Sequence, residues 1–274
     1  YLVMYDKLIG LYPYKKFALV ENFWETGYGM PSFALMGPKV IRFPFIITSS
    51  YPHEILHNWW GNSVYPDLKT GNWCEGLTAY LADHLLREQK GTATEYRRDL
   101  LQRFADYVSK ENDFPLSQFR SRHSAATQAI GYGKALMFFH MLRLDLGDDA
   151  FRDGFRNFYH TNTFRVASYD DIRKSLETVS KKDLSAPFSQ WVDRTGAPQI
   201  KVSNPGVHRS GKQYDATVVL EQTQAGKPYR LHVPVAVTMK NRKEAYESRV
   251  HMTEKRQEFR FTVPDYPVRI DVDP

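Results

Sequence analysis

The sequence holds a single cysteine, Cys74, among 274 residues, so no intrachain disulfide can form and a disulfide-stapled fold is excluded. No apolar run approaches the roughly 20 residues of a membrane-spanning helix. No basic segment leads into an apolar stretch, so no signal peptide is visible. The chain opens on Tyr1 in strand-like sequence, as a fragment or processed product would, which leaves cytoplasmic and periplasmic locations both open. Internal repeats and low-complexity tracts are lacking. So is a strong excess of one charge: Lys and Arg number 37 against 31 Asp and Glu, a net +6, and the basic residues are scattered in small clusters such as Lys240 to Lys243. That pattern is a solvated surface rather than a nucleic-acid groove. What is present is 42% hydrophobic and 14% aromatic residues, enough for one large or two ordinary globular domains.

Against this background one segment carries chemistry, His53-Glu54-Ile55-Leu56-His57. On an α-helix, positions i and i+4 lie nearly above one another, so His53 and His57 face one metal together. Glu54, one step round, points beside that metal, where it can take a proton from a bound water. Glu75, in Trp73-Cys74-Glu75-Gly76, can add a carboxylate from a following helix, leaving the fourth zinc position open. A solvated surface helix is the plain alternative for the pentapeptide alone, and the downstream Glu-Gly weighs against it. Cys74 reads as a small buried side chain, since no Cys-His-Asn pattern surrounds it. His140 lies on an apolar helix face and reads as a core residue. His84, His123, His160, His208, His232 and His251 lack metal-like spacing.

Residues 1 to about 50 alternate aromatic and β-branched residues with Gly and Pro, and 17–23 and 40–47 look like strands. Pro52 suits a helix start just ahead of the zinc motif. From there to about residue 195 the period is helical, over 76–89, 96–107, 134–146, 150–159, 170–180 and 187–194. After Gly196-Ala197-Pro198 the period becomes two, with strands expected over 214–220, 229–238, 246–252, 258–263 and 268–272. The expected class is α+β, with a mixed-sheet and helical catalytic domain over 1–198 and an all-β sandwich over 199–274.

Several segments in order resemble the aminopeptidase N family of zinc metallopeptidases. They are His53 to Asn62, Glu75 to Tyr80, the Tyr132-Gly133-Lys134 element, the helix and turn around Met141 to Phe151, and Gly196 to Ile200. The resemblance runs over roughly residues 15 to 200. It implies a thermolysin-like catalytic domain followed by an immunoglobulin-like sandwich. It implies one zinc per chain held by His53, His57 and Glu75, with Glu54 as general base and Tyr132 donating to the oxyanion of the tetrahedral intermediate. It implies peptide substrates cleaved at the free N-terminus, and an N-terminal β-domain that completes the cleft. The family's amine-binding strand is matched loosely by Ala18 to Asn22, so Glu21, with Asn22, would pair with the substrate ammonium. Glu25 competes for that role.

Two departures stand out. Seventeen residues separate His57 from Glu75, one fewer than usual in the family, which a loop can absorb. Asp67 and Asp83, the nearest other carboxylates, lack the Glu-Gly context. Thermolysin-type relatives often carry an Asp four residues after the Glu ligand, to orient a zinc histidine. Here that position is Ala79, so the orienting group must come from elsewhere. A zinc endopeptidase and a non-catalytic scaffold are the rival readings.

Overall fold

In the computed structural model, which describes residues 1–273, the His-Glu-x-x-His segment forms the end of the helix Ser50–Leu56, with His57 as its C-cap. Pro52 sits in the first turn, where its missing N–H would have had no intrahelical partner. Ahead of the helix lie β1 (Ala18–Glu21), β2 (Gly27–Met30) and β3 (Phe33–Met36), in the order β1-β3-β2. β1 runs parallel to β3, and β2 antiparallel to it.

The edge strand β2 lies flat against the zinc-motif helix because its inward positions have no side chains. A Cβ at Gly29 would stand 2.5 Å from His57 Cβ and 2.8 Å from the Glu54 carbonyl oxygen, and one at Gly27 2.7 Å from Glu54 Oε1. The contact is fastened by polar groups: Asn62 Nδ2 donates to the Gly29 carbonyl (3.0 Å), and buried Asn58 accepts from the Ser32 N–H (2.9 Å). Gly29→Ala is therefore expected to destabilise the fold by about 1–3 kcal/mol, through overpacking that displaces helix or strand. Thermal melting of the variant checks this, and an unchanged Tm would mean that the close approach is slack.

Two sequence expectations fail in this region. Residues 40–47 are not a strand but two 3₁₀ turns, Val40–Arg42 and Ile46–Thr48. Pro44 between them has no N–H to give a sheet, and Phe43, Phe45 and Ile47 are exposed, so the large apolar face of the run is not buried. The opening residues form a helix, Leu2–Leu8, rather than a strand.

The remainder of the first compact unit, Tyr1–Gly196, is helical apart from a short parallel pair, β4 (Val64–Pro66) with β5 (Arg165–Ala167). Cys74–Thr78 continues through a π-helical stretch, Ala79–His84, into Leu85–Gln89. Ala93–Tyr107 follows. Ala125–Gln128 likewise passes through a π stretch, Ala129–Lys134, into Ala135–Leu146. Asp148–Asn162, Tyr169–Ser180 and Ser185–Val192 complete the set. Trp59, Trp60 and Trp73 are fully buried, and Trp60 and Trp73 pack on Phe158. Trp73 Nε1 also donates to the Ala167 carbonyl (2.7 Å), which anchors the start of the Glu75 helix. Gly76 is needed where that helix crosses the next, since its Cβ would meet Ala135 Cβ at 2.3 Å.

His84 is buried at the end of the first π stretch. Arg97 can only donate, so the 2.9 Å contact between its guanidinium and His84 Nε2 fixes a neutral ring protonated at Nδ1. Burial, then the Arg97 charge, pushes His84 from the ordinary 6.5 down to about 4. Below 6.5 the unfolded chain takes up a proton that the folded chain refuses. Stability is thus full above pH 6.5 and drains away as pH falls toward 4, by up to about 3 kcal/mol. Melts of the wild type and His84→Gln across that window should converge as the pH drops. Parallel curves would exclude His84 as the cause.

The second unit, Ala197–Pro274, is antiparallel throughout. One sheet has the order β10 (Arg256–Val263), β7 (Gln213–Gln222), β6 (Ile200–Ser210). The other has β11 (Pro267–Val272), β8 (Leu231–Met239), β9 (Tyr246–Met252). Val218, Leu220 and Phe261 in the first, and Val235, Val237 and Met252 in the second, are buried. The long β6 was not anticipated, because Asn204, at positive φ, with Pro205 and Gly206 break its alternation where the pairing shifts register.

Candidate metal centre and cleft

His53, His57 and Glu75 come together as three donors. Both Nε2 atoms lie 3.6 Å from Glu75 Oε2, and among the described residues these three form the group able to hold a metal. Tetrahedral zinc with bonds near 2.0–2.2 Å separates its ligand atoms by about 3.4 Å, so the set fits one ion with little movement. The outer nitrogens are already committed. His53 Nδ1 donates to Asp83 Oδ2 (3.0 Å) and His57 Nδ1 to the Trp60 carbonyl (3.0 Å), which leaves each Nε2 lone pair aimed at the common point.

Asp83 is the orienting carboxylate that the Ala79 position could not supply. Two turns of α-helix take about 7.2 residues. A π turn absorbs roughly one more. Eight residues therefore return Asp83 to the face of Glu75. Burial would lower the pKa of His53, but the Asp83 carboxylate overrides it and lifts the ring to about 9. Asp83→Ala should weaken zinc binding about 10–100-fold by freeing the imidazole to turn. Competition with a chromophoric chelator reads that loss, and wild-type affinity would rule the role out.

Glu54 is buried beside the donors without joining them. Its burial raises its pKa against the pull of His57 and His53, and the Gly29 backbone N–H donates to its carboxylate. Tyr132, on the second π stretch, stacks on His53 with centroids 6.5 Å apart and planes at 12°, and meets Phe119 edge-on. Burial, the Glu75 charge and a hydrogen bond to Glu75 hold its phenol above the ordinary value. Lys134, on the same stretch, donates to the Arg194 carbonyl (2.7 Å) and braces it. Arg122 lies over the Tyr132 ring at 5.9 Å. Sequence reasoning singled out neither Arg122 nor the β2 glycines; the Gly-Tyr-Gly alternation was the available signal for the latter.

A family model described as the peptidase family M1 domain matches residues 47–191. The chain belongs to peptidase family M1. It is a divergent member of this aminopeptidase N family. It is 26% identical over 161 residues to the mitochondrial aminopeptidase 2 of Saccharomyces cerevisiae, covering 56% of this chain and 17% of that protein. Aminopeptidase N of Lactococcus lactis is 25% identical over 63% of the chain and 20% of its own length. Aminopeptidase N of Escherichia coli is 25% identical over 68% of the chain and 22% of its own length. The chain thus spans roughly a fifth of these relatives. Its fold is similar to that of a substrate-bound M1 zinc metallopeptidase mutant from Deinococcus radiodurans, with a TM-score of 0.56 and 21% identity over 70% of this chain and 42% of that one.

The candidate amine binders of this M1 chain are elsewhere. Glu21 sits on β1, with β3 between it and the edge strand at the cleft, and its carboxylate is paired with Arg42 at 2.8 Å. Asn22 accepts from the Phe23 N–H. Glu25 accepts from the Lys39 N–H. None of the three lines the cleft, whose walls near the donors come from β2, the zinc-motif helix and the two π stretches. Strand order thus places Glu21 and Asn22, read from sequence as the ammonium binders, away from the donors: local sequence matched the motif, but β3 intervenes.

Proposed function

We propose that this M1 chain is the catalytic part of a zinc aminopeptidase, hydrolysing the N-terminal bond of peptides with one zinc per chain. The observation that carries the reading is the convergence of His53, His57 and Glu75, with Glu54 buried beside them and Tyr132 stacked on His53. Bound zinc would supply Lewis-acid polarisation and a water acidified toward neutrality. Glu54 then accepts the proton at its carboxylate and returns it to the leaving amine. Tyr132 donates its phenolic hydrogen to the oxyanion. Asp83 and the Trp60 carbonyl keep both imidazoles turned inward. So complete a set argues against a scaffold.

Residues 199–274 we read as an immunoglobulin-like sandwich, supported by two three-stranded antiparallel sheets with buried apolar faces. The greater length of the relatives supports a further domain completing the cleft.

The test is metal content together with hydrolysis of aminoacyl reporters, free and N-acetylated. About one zinc per chain and cleavage of free-amine substrates alone are expected. The position of Glu21 favours one second reading, an endopeptidase, and cleavage of acetylated substrates would establish it.

A further inference from the structure

The cleft of about 850 Å³ carries more positive charge than its chemistry uses. Glu54, Glu75 and Asp83 belong to the metal site. Beyond them, the described residues lining the cleft include three arginines, Arg103, Arg120 and Arg122, against one acid, Asp99. Arg120 is engaged as a brace: its guanidinium donates to the carbonyls of Ser117 (2.9 Å), Phe119 (3.0 Å) and Lys69 (3.0 Å), fixing the segment that presents Arg122. Arg122 itself is exposed and makes no ion pair among the described residues. Its contact is the Tyr132 ring at 5.9 Å, and that ring stacks on His53. A free guanidinium therefore stands one aromatic ring from the metal ligands.

We propose that this cleft selects peptides that bear a carboxylate next to the scissile bond, and that Arg122 is the residue that reads it. A guanidinium offers a planar fork of donors matched to a carboxylate. Positive charge concentrated in a low-dielectric cleft draws anions in and repels lysine or arginine side chains. The carboxylate can be an acidic side chain or the free C-terminus of a short peptide. The proposal rests on the peptidase reading above.

The test compares kcat/KM for Ala-Ala amide, free Ala-Ala, a glutamyl reporter and a lysyl reporter, in wild type, Arg122→Gln and Arg122→Lys. Carboxylate substrates should exceed the lysyl one at least tenfold. Arg122→Gln should collapse that ratio, Arg122→Lys should keep part of it, and higher salt should compress it. Free Ala-Ala gaining over its amide would identify the C-terminus as the group read, whereas gain by the glutamyl reporter alone would identify the side chain. An equal ratio in wild type and Arg122→Gln overturns the proposal. If nothing is cleaved, the peptidase reading fails instead. Calorimetric binding of the same four compounds to the zinc-loaded wild type and Arg122→Gln then decides the charge preference alone: a carboxylate preference lost in the variant upholds it, and equal binding sinks it.

Discussion

Glu54→Gln should lower kcat by about 10²–10⁴ while leaving zinc content and KM near the wild-type values. The buried carboxylate occupies a slot closed by Gly27 and oriented by the Gly29 N–H. Glutamine has the same shape and can still accept that hydrogen bond, so the fold has no reason to change. It cannot take up a proton at neutral pH. Because Glu54 lies beside the His53, His57 and Glu75 donors and is not one of them, metal should stay bound. Steady-state kinetics with metal analysis on one sample checks both halves, and near-normal turnover would sink the general-base role. The pH profile adds a sign. Burial raises Glu54 above the ordinary 4.5, and the working form is the ionised one. The acid limb of kcat/KM should therefore fall at a higher pH than an exposed glutamate would give.

Tyr132→Phe should lower kcat by about 10²–10³, with little change in zinc affinity or melting temperature. Phenylalanine keeps the stack on His53 and the edge contact with Phe119, so packing survives and a donor is lost. An interaction made only in the transition state falls on kcat rather than KM. The phenol is held above its ordinary value, so it stays protonated through the neutral range and should add no alkaline limb there. If kcat is unchanged, Tyr132 is a packed aromatic and the oxyanion must be held by another group.

The three converging donors were legible because their geometry is local: two histidines four residues apart at the end of one helix, and a Glu-Gly whose glycine is dictated by the crossing against Ala135. The second unit was legible wherever its strands alternate cleanly. What could not be read depended on distance or on irregular backbone. Glu21 fitted a motif, but β3, added later in the chain, separates it from the cleft. Asp83 was set aside for lacking the Glu-Gly context, and the π stretch that brings it round to His53 has no mark in the sequence pattern. Residues 40–47 carried the composition of a strand and had no sheet to join, with Pro44 at their centre.

The π stretch at Ala79–His84 also bears on how this chain can vary. Losing one residue between Glu75 and Asp83 would let the stretch close up as ordinary α-helix, so the protein could still fold. Seven residues through two α turns span nearly the rotation that eight take through the π turn, so everything beyond the gap would keep its face. Asp83 would still reach His53, and Leu86 would stay in the core. The π stretch is thus a place where a residue can be gained or lost with little disturbance to fold or metal site, and a relative with a plain α-helix here would carry its orienting carboxylate seven residues after the glutamate rather than eight.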